Sequence, residues 1–187
     1  MRRRIASVLA LAALGAAIVI GLSQAGEAGN GEPKSRAGGA GAARGTLTGG
    51  QANRLLPGGR VAFEARLKEL RGHPVVVNTW ASWCGPCRFE FPFFQSLASK
   101  LGRRVAFLGV DSTDNLDDAR AFLRRYPVPF PSYLDPQGRI AISLSPAAGL
   151  PHTAFYDRAG RRAFVHQGGY ATEAKLREDI DRYALGP

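Results

Sequence analysis

Apolar positions along the chain fall into three regimes. Ile5 to Leu22 is an 18-residue stretch without a charge, and Arg2, Arg3 and Arg4 precede it. As a helix it spans about 27 Å at ~1.5 Å per residue, close to a hydrocarbon core of roughly 30 Å. From Gly26 to Gly59 large apolar residues are scarce and 11 of the 23 glycines gather. Such a stretch buries too little apolar surface to offset its ordering entropy, so it reads as a flexible tether, with Leu55 and Leu56 marking where order begins. Beyond it the pattern becomes periodic.

Phe63, Leu67 and Leu70 fall at helical spacing among charged residues, which predicts an amphipathic helix over 61–70, ended by Arg71-Gly72-His73-Pro74. Val75, Val76 and Val77 begin a buried strand that runs into Trp80-Ala81-Ser82-Trp83-Cys84-Gly85-Pro86-Cys87. Phe91, Phe94, Leu97 and Leu101 predict a helix that starts at that motif. Val105 to Val110 reads as a second strand. Leu116 to Tyr126, with early aspartates and late arginines, has the charge order that suits a helix dipole. Tyr133-Leu134, Thr153 to Tyr156 and Ala163 to His166 read as short strands, and Thr172 to Tyr183 as a closing helix. Strands mixed with helices predict an α/β fold.

Charge changes this picture little. The net charge is +10, but residues 1–60 hold eight Lys/Arg against two Asp/Glu, while residues 61–187 hold seventeen against thirteen. The periodic part mixes both signs, so no nucleic-acid footprint is read. The chain is thus divided into a signal-anchor or signal peptide (1–25), a tether (26–59) and a folded domain (60–187). Ser23-Gln24-Ala25 offers small residues for cleavage before Gly26, so an uncleaved anchor and a cleaved signal both remain open. Either way the arginines stay in the cytoplasm and the domain is exported.

The two cysteines, Cys84 and Cys87, are separated by Gly85 and Pro86 alone. They cannot staple a large loop, and a zinc site needs further ligands at suitable spacing. Disulfide exchange explains them better: it needs a thiolate to attack and a second thiol to resolve the mixed disulfide. At a helix N-terminus, unpaired N–H groups and the dipole stabilise the Cys84 thiolate. Cys87 lies one turn on, and Pro86 suits the first turn because it has no N–H to lose. Glu90, three residues past Cys87, reads either as a proton partner of the thiols or as a solvated helix carboxylate.

Trp80 to Cys87 resembles the active site of thioredoxins, and its surroundings resemble the exported TlpA/ResA branch of that superfamily. Asn78 stands where cytoplasmic thioredoxins carry a buried Asp, Cys87-Arg88-Phe89-Glu90-Phe91-Pro92 is similar to the branch's Cys-x-x-Glu-x-Pro, and Ser112 to Pro136 resembles its central helical insertion. The resemblance covers residues 61–185. It implies a thioredoxin-like fold, a central mixed sheet flanked by helices. It also implies a cis Pro151 in Gly149-Leu150-Pro151-His152-Thr153, with Leu150 and Pro151 binding client backbone and Trp83, Gly85 and Pro86 flanking the cysteines. No cofactor is expected beyond the redox-active Cys84–Cys87 disulfide.

By this resemblance the protein is a reductase of protein disulfides, with apocytochrome c among the clients, recharged by a membrane thiol carrier and monomeric. A disulfide-forming oxidase uses the same residues in the opposite direction. Peroxidase relatives set their cysteine in Pro-x-x-x-Thr-x-x-Cys, which Ala81-Ser82-Trp83-Cys84 lacks. A tethered metal chaperone is the reading outside enzymes. Its relatives carry Cys-x-x-x-Cys, and Met1 is the one methionine here, so no metal is expected; among the three histidines His152, next to Pro151, is the one placed to matter.

Overall fold

The computed structural model describes residues 47–186 other than 49 and 148. The predicted membrane segment Ile5 to Leu22 and most of the predicted tether lie outside the described residues, among which no helix is long and apolar enough to cross a membrane.

The domain runs β1 (Leu55–Leu56), α1 (Gly59–Glu69), β2 (Val75–Trp80), α2 (Gly85–Leu101), β3 (Ala106–Ser112), α3 (Leu116–Arg125), β4 (Ser132–Asp135), α4 (Arg139–Leu144), β5 (His152–Tyr156), β6 (Arg162–Gln167) and α5 (Glu173–Asp179), which continues as a wider π-helical turn, Ile180–Ala184. One sheet has the order β1-β4-β3-β2-β5-β6. β1, β4, β3 and β2 pair in parallel, and β5 and β6 join antiparallel. This is the expected α/β mixed sheet.

β2 and β3 are buried at every position, as central strands covered on both faces require. Side chains alternate across a strand, and the core divides accordingly. Val76, Trp80, Phe107 and Phe155 pack with α2, α3 and α5 on one face. Val75, Val77, Leu108, Val110 and Ala154 pack with Phe63 of α1 and Ile140 of α4 on the other. Asn78, in phase with Val76 and Trp80, is thereby aimed at α2. Gly109 belongs to the same face: a Cβ there would lie 2.1 Å from Ser132 Oγ, which accepts the Trp80 indole N–H at 3.0 Å. Its lack of a side chain lets Trp80 and Ser132 meet across β3.

The N-terminal boundary changes. The ordered domain starts before residue 60. Leu47 N donates to Gly102 O at 2.9 Å, Thr48 is buried, and the Asn53 side chain donates to Leu123 O at 3.1 Å and accepts from Val128 N at 3.0 Å. β1 then extends the sheet beside β4. Isolated apolar residues in a glycine-rich setting carry no periodicity, and only the waiting edge of β4 makes Leu55-Leu56 a strand. The stretch from Ser112 to Pro136 holds the expected helix as α3 and the strand expected at Tyr133-Leu134 as β4. α4 was not predicted, because six residues are too few to establish a helical period.

Candidate functional site

The disulfide sits where β2 ends and α2 begins. Cys84 and Cys87 are bonded, with Cα atoms 5.3 Å apart. Cys84 is the N-cap of α2, and its Sγ accepts the Cys87 N–H at 3.2 Å. Pro86 occupies the first turn, where no N–H is missed. Cys87 is fully buried and Cys84 is 4% exposed, while Gly85 and Pro86 face solvent. An attacking partner therefore reaches Cys84 first, and backbone N–H groups and the helix dipole favour negative charge on its sulfur.

The Leu150–Pro151 bond is cis, as the resemblance implied. Gly169, in the loop after β6, lies against both prolines of the site: a Cβ on it would be 3.3 Å from Pro86 Cβ and 3.6 Å from Pro151 Cγ. Gly168 N donates to Pro151 O at 3.0 Å. Leu150 is half-buried beside Pro151, and Trp83 stands 61% exposed with its indole N–H donating to Thr113 O at 3.2 Å. Trp83, Gly85 and Pro86 thus flank the cysteines in the chain, and Pro86 and Pro151 meet on either side of Gly169.

Glu90 is no solvated helix carboxylate. It is fully buried one turn after Cys87 on the same helix. Asn78 Nδ2 donates to its Oε1 at 2.8 Å and Tyr170 N to its Oε2 at 2.9 Å. Burial pushes its carboxyl up to about 7, against the lowering effect of those two bonds. A carboxyl titrating there exchanges protons readily with a thiol near neutral pH.

The sequence did not single out a second carboxyl group. Asp111, at the end of β3, is buried and pushed up to about 8, first by burial, then by Asp114 and Asp135. Asp114 in turn accepts from both the backbone N–H and the hydroxyl of Ser82, in the loop before Cys84. Their position at the carboxyl end of the parallel strand β3 is the signal that marks them, since sites gather at the carboxyl ends of such strands. His152 points to the α1–α4 face, opposite Glu90. It is buried, its Nδ1 lies 3.3 Å from Gly149 O, and burial pulls its pKa down, so the ring is neutral. Among the described residues no three His, Cys, Asp or Glu side chains group as a metal site.

Comparison with known proteins places this geometry. Residues 59–161 match the family described as AhpC/TSA, more than half of the chain. The chain belongs to the AhpC/TSA family. Among curated AhpC/TSA-like relatives, a thiol:disulfide interchange protein DsbE homolog of Paracoccus denitrificans is 38% identical over 99 residues, 52% of each chain. A thiol-disulfide oxidoreductase ResA of Bacillus cereus is 29% identical over 96 residues, 51% of this chain and 55% of that one. The chain thus spans about half the length of these relatives. A DsbE-type thiol:disulfide interchange protein of Chlorobium tepidum superposes with a TM-score of 0.56 at 30% identity, covering 61% of this chain and 82% of that one. The thioredoxin-like fold and the TlpA/ResA-like branch are those anticipated from the motif.

Proposed function

We propose that the protein is a thiol–disulfide oxidoreductase that works mainly as a reductant of protein disulfides outside the cytoplasm. The observation that carries this reading is Cys84 as N-cap of α2, next to the exposed Gly85-Pro86 turn and bonded to a fully buried Cys87 one turn on. The Cys84 thiolate attacks one sulfur of a client disulfide, forming a mixed disulfide and releasing the other client sulfur as a thiolate. Cys87 then loses its proton, for which Glu90 is the nearest carboxylate along α2, and attacks Cys84 Sγ. That step closes the Cys84–Cys87 bond and releases the second client thiolate, so two electrons pass to the client and its sulfurs take up protons. Backbone beside Pro151 pairs with the client segment in this reading.

The charge-free stretch after Arg2–Arg4 supports an N-terminal membrane anchor with the domain exported. A membrane thiol carrier recharges the pair, because the chain holds no third cysteine. Apocytochrome c before haem attachment is the client class that the TlpA/ResA resemblance implies. The peroxidase chemistry in the family's range is not proposed, since Val77 and Ala81 stand where its Pro and Thr belong.

The protein should reduce insulin in dithiothreitol, and Cys87→Ser should accumulate mixed disulfides with clients on a non-reducing gel while Cys84→Ser does not. The reverse trapping pattern reverses the roles of the two cysteines. A pair that glutathione titration puts above about −180 mV and that alkylation finds oxidised in cells turns the reading to an oxidase, whereas thioredoxin lies near −270 mV.

A further inference from the structure

A groove of about 560 Å³ runs from the cysteine loop to α3. Trp83, the residue before Cys84, forms its near wall, with its indole held by Thr113 O. On the far side Asp118, Phe122 and Arg125 follow helical spacing on one face of α3, and Tyr126 closes the end. Phe122 is a buried floor, stacked at 4.8 Å on Trp80. Arg88, from the first turns of α2, completes the rim and donates to Ser82 O at 3.1 Å.

Charge gives the groove a direction of choice. Two guanidinium groups face one carboxylate, and among the described residues neither Arg88 nor Arg125 is in an ion pair. Arg125 lies 5.7 Å from the centre of the Tyr126 ring, and the backbone acceptor on Arg88 leaves most of its five donors unused. Exposed guanidinium groups beside an aromatic floor suit a carboxylate carried next to an apolar side chain, because the fork bonds the carboxylate in plane while the ring covers the apolar part. A client sulfur bonded to Cys84 puts the residues flanking it against Trp83, at the mouth of this groove.

We propose that the groove selects client segments with an acidic side chain close to the reacting cysteine. The proposal rests on the oxidoreductase reading, since it names the clients of that same pair.

The test uses the full chain and three synthetic peptides with the same intramolecular disulfide, flanked by Phe-Glu, Phe-Gln or Phe-Lys. For reduction, kcat/KM should favour Glu over Gln about five-fold, the size of one partly exposed charge-assisted hydrogen bond, and Glu over Lys by more. Arg125→Gln should bring the Glu/Gln ratio close to one, and Arg125→Glu should invert the Glu/Lys order. Raising salt should compress the wild-type ratios. Equal rates on all three peptides overturn the groove proposal and leave the oxidoreductase reading standing. If none of the peptides is reduced, the oxidoreductase reading fails, and the groove is judged by binding alone: serine-substituted, dye-labelled peptides should still show tighter anisotropy binding for Glu than for Lys, and equal binding overturns it.

Discussion

Each residue of the site owes its chemistry to where the backbone holds it. Glu90 on α2 and Asp111 on β3 are both buried carboxyl groups, and both are kept protonated further up the pH scale by loss of water, to about 7 and about 8. An acid whose folded-state pKa lies above its unfolded value stabilises the fold fully below the unfolded value, near 4. That stability is lost as pH rises through the folded value. The urea midpoint should therefore fall between pH 5 and pH 8. Glu90→Gln and Asp111→Asn should each flatten that slope and raise the midpoint at pH 8 more than at pH 5. Glu90→Gln should also move the pH–rate profile of exchange, whereas Asp111→Asn should leave its midpoint in place. A pH-independent midpoint in the native protein would show that these groups ionise as freely folded as unfolded.

At the scale of elements, the site depends on two strands meeting through a residue with no side chain. Gly109 lets the Trp80 indole reach Ser132, and Trp80 in turn packs edge-on against Phe91 of α2 at 5.2 Å. A methyl at position 109 has to displace Ser132 or Trp80, so Gly109→Ala should cost about 1–3 kcal/mol, as overpacking of a dense core does. Near-UV circular dichroism should report the tryptophan shift. Gly109→Ala combined with Ser132→Ala, which removes the clashing hydroxyl, should recover part of that loss. An unchanged denaturation midpoint in Gly109→Ala would mean that β3 and β4 separate more easily than their packing suggests. Pro92 interrupts the hydrogen-bond ladder of α2 without ending the helix, because Phe91 and Phe94 on either side of it are anchored in the core.

For the whole molecule the N-terminal boundary matters most. Leu47, Thr48, Asn53 and β1 bind the domain through Gly102, Pro129, Val128 and β4. A chain beginning at residue 60 exposes β4 as an edge and leaves Val128 N without its partner. We expect it to lose about 2–4 kcal/mol of stability relative to a chain beginning at residue 46, from several lost hydrogen bonds and the uncovered apolar area. Chemical denaturation of the two truncated forms measures the difference, and equal midpoints would return residues 47–59 to the tether. Retained insulin reduction by both forms is expected, because the arm's hydrogen bonds go to Gly102, Leu123, Val128, Pro129 and Phe130 rather than to the loop before Cys84.

Signals between near neighbours in the chain carry the thiol chemistry and most of the elements. The Cys84–Cys87 pair, the valine run before it and the amphipathic spacing after it are local signals, and a strand–turn–helix that carries a thiolate needs only neighbours in the chain. The flanking motif likewise announced a cis Pro151 and a TlpA/ResA-like frame. Relations between distant segments arise only when the chain folds. Glu90 stays ambiguous until Asn78 and Tyr170, twelve and eighty positions away, close around it and remove water. Asp114 is an ordinary loop aspartate until it meets Ser82, and Leu55-Leu56 is too short to be a strand until β4 offers an edge. Burial and cross-strand pairing are sums over residues far apart in the chain, so no periodicity along it can express them.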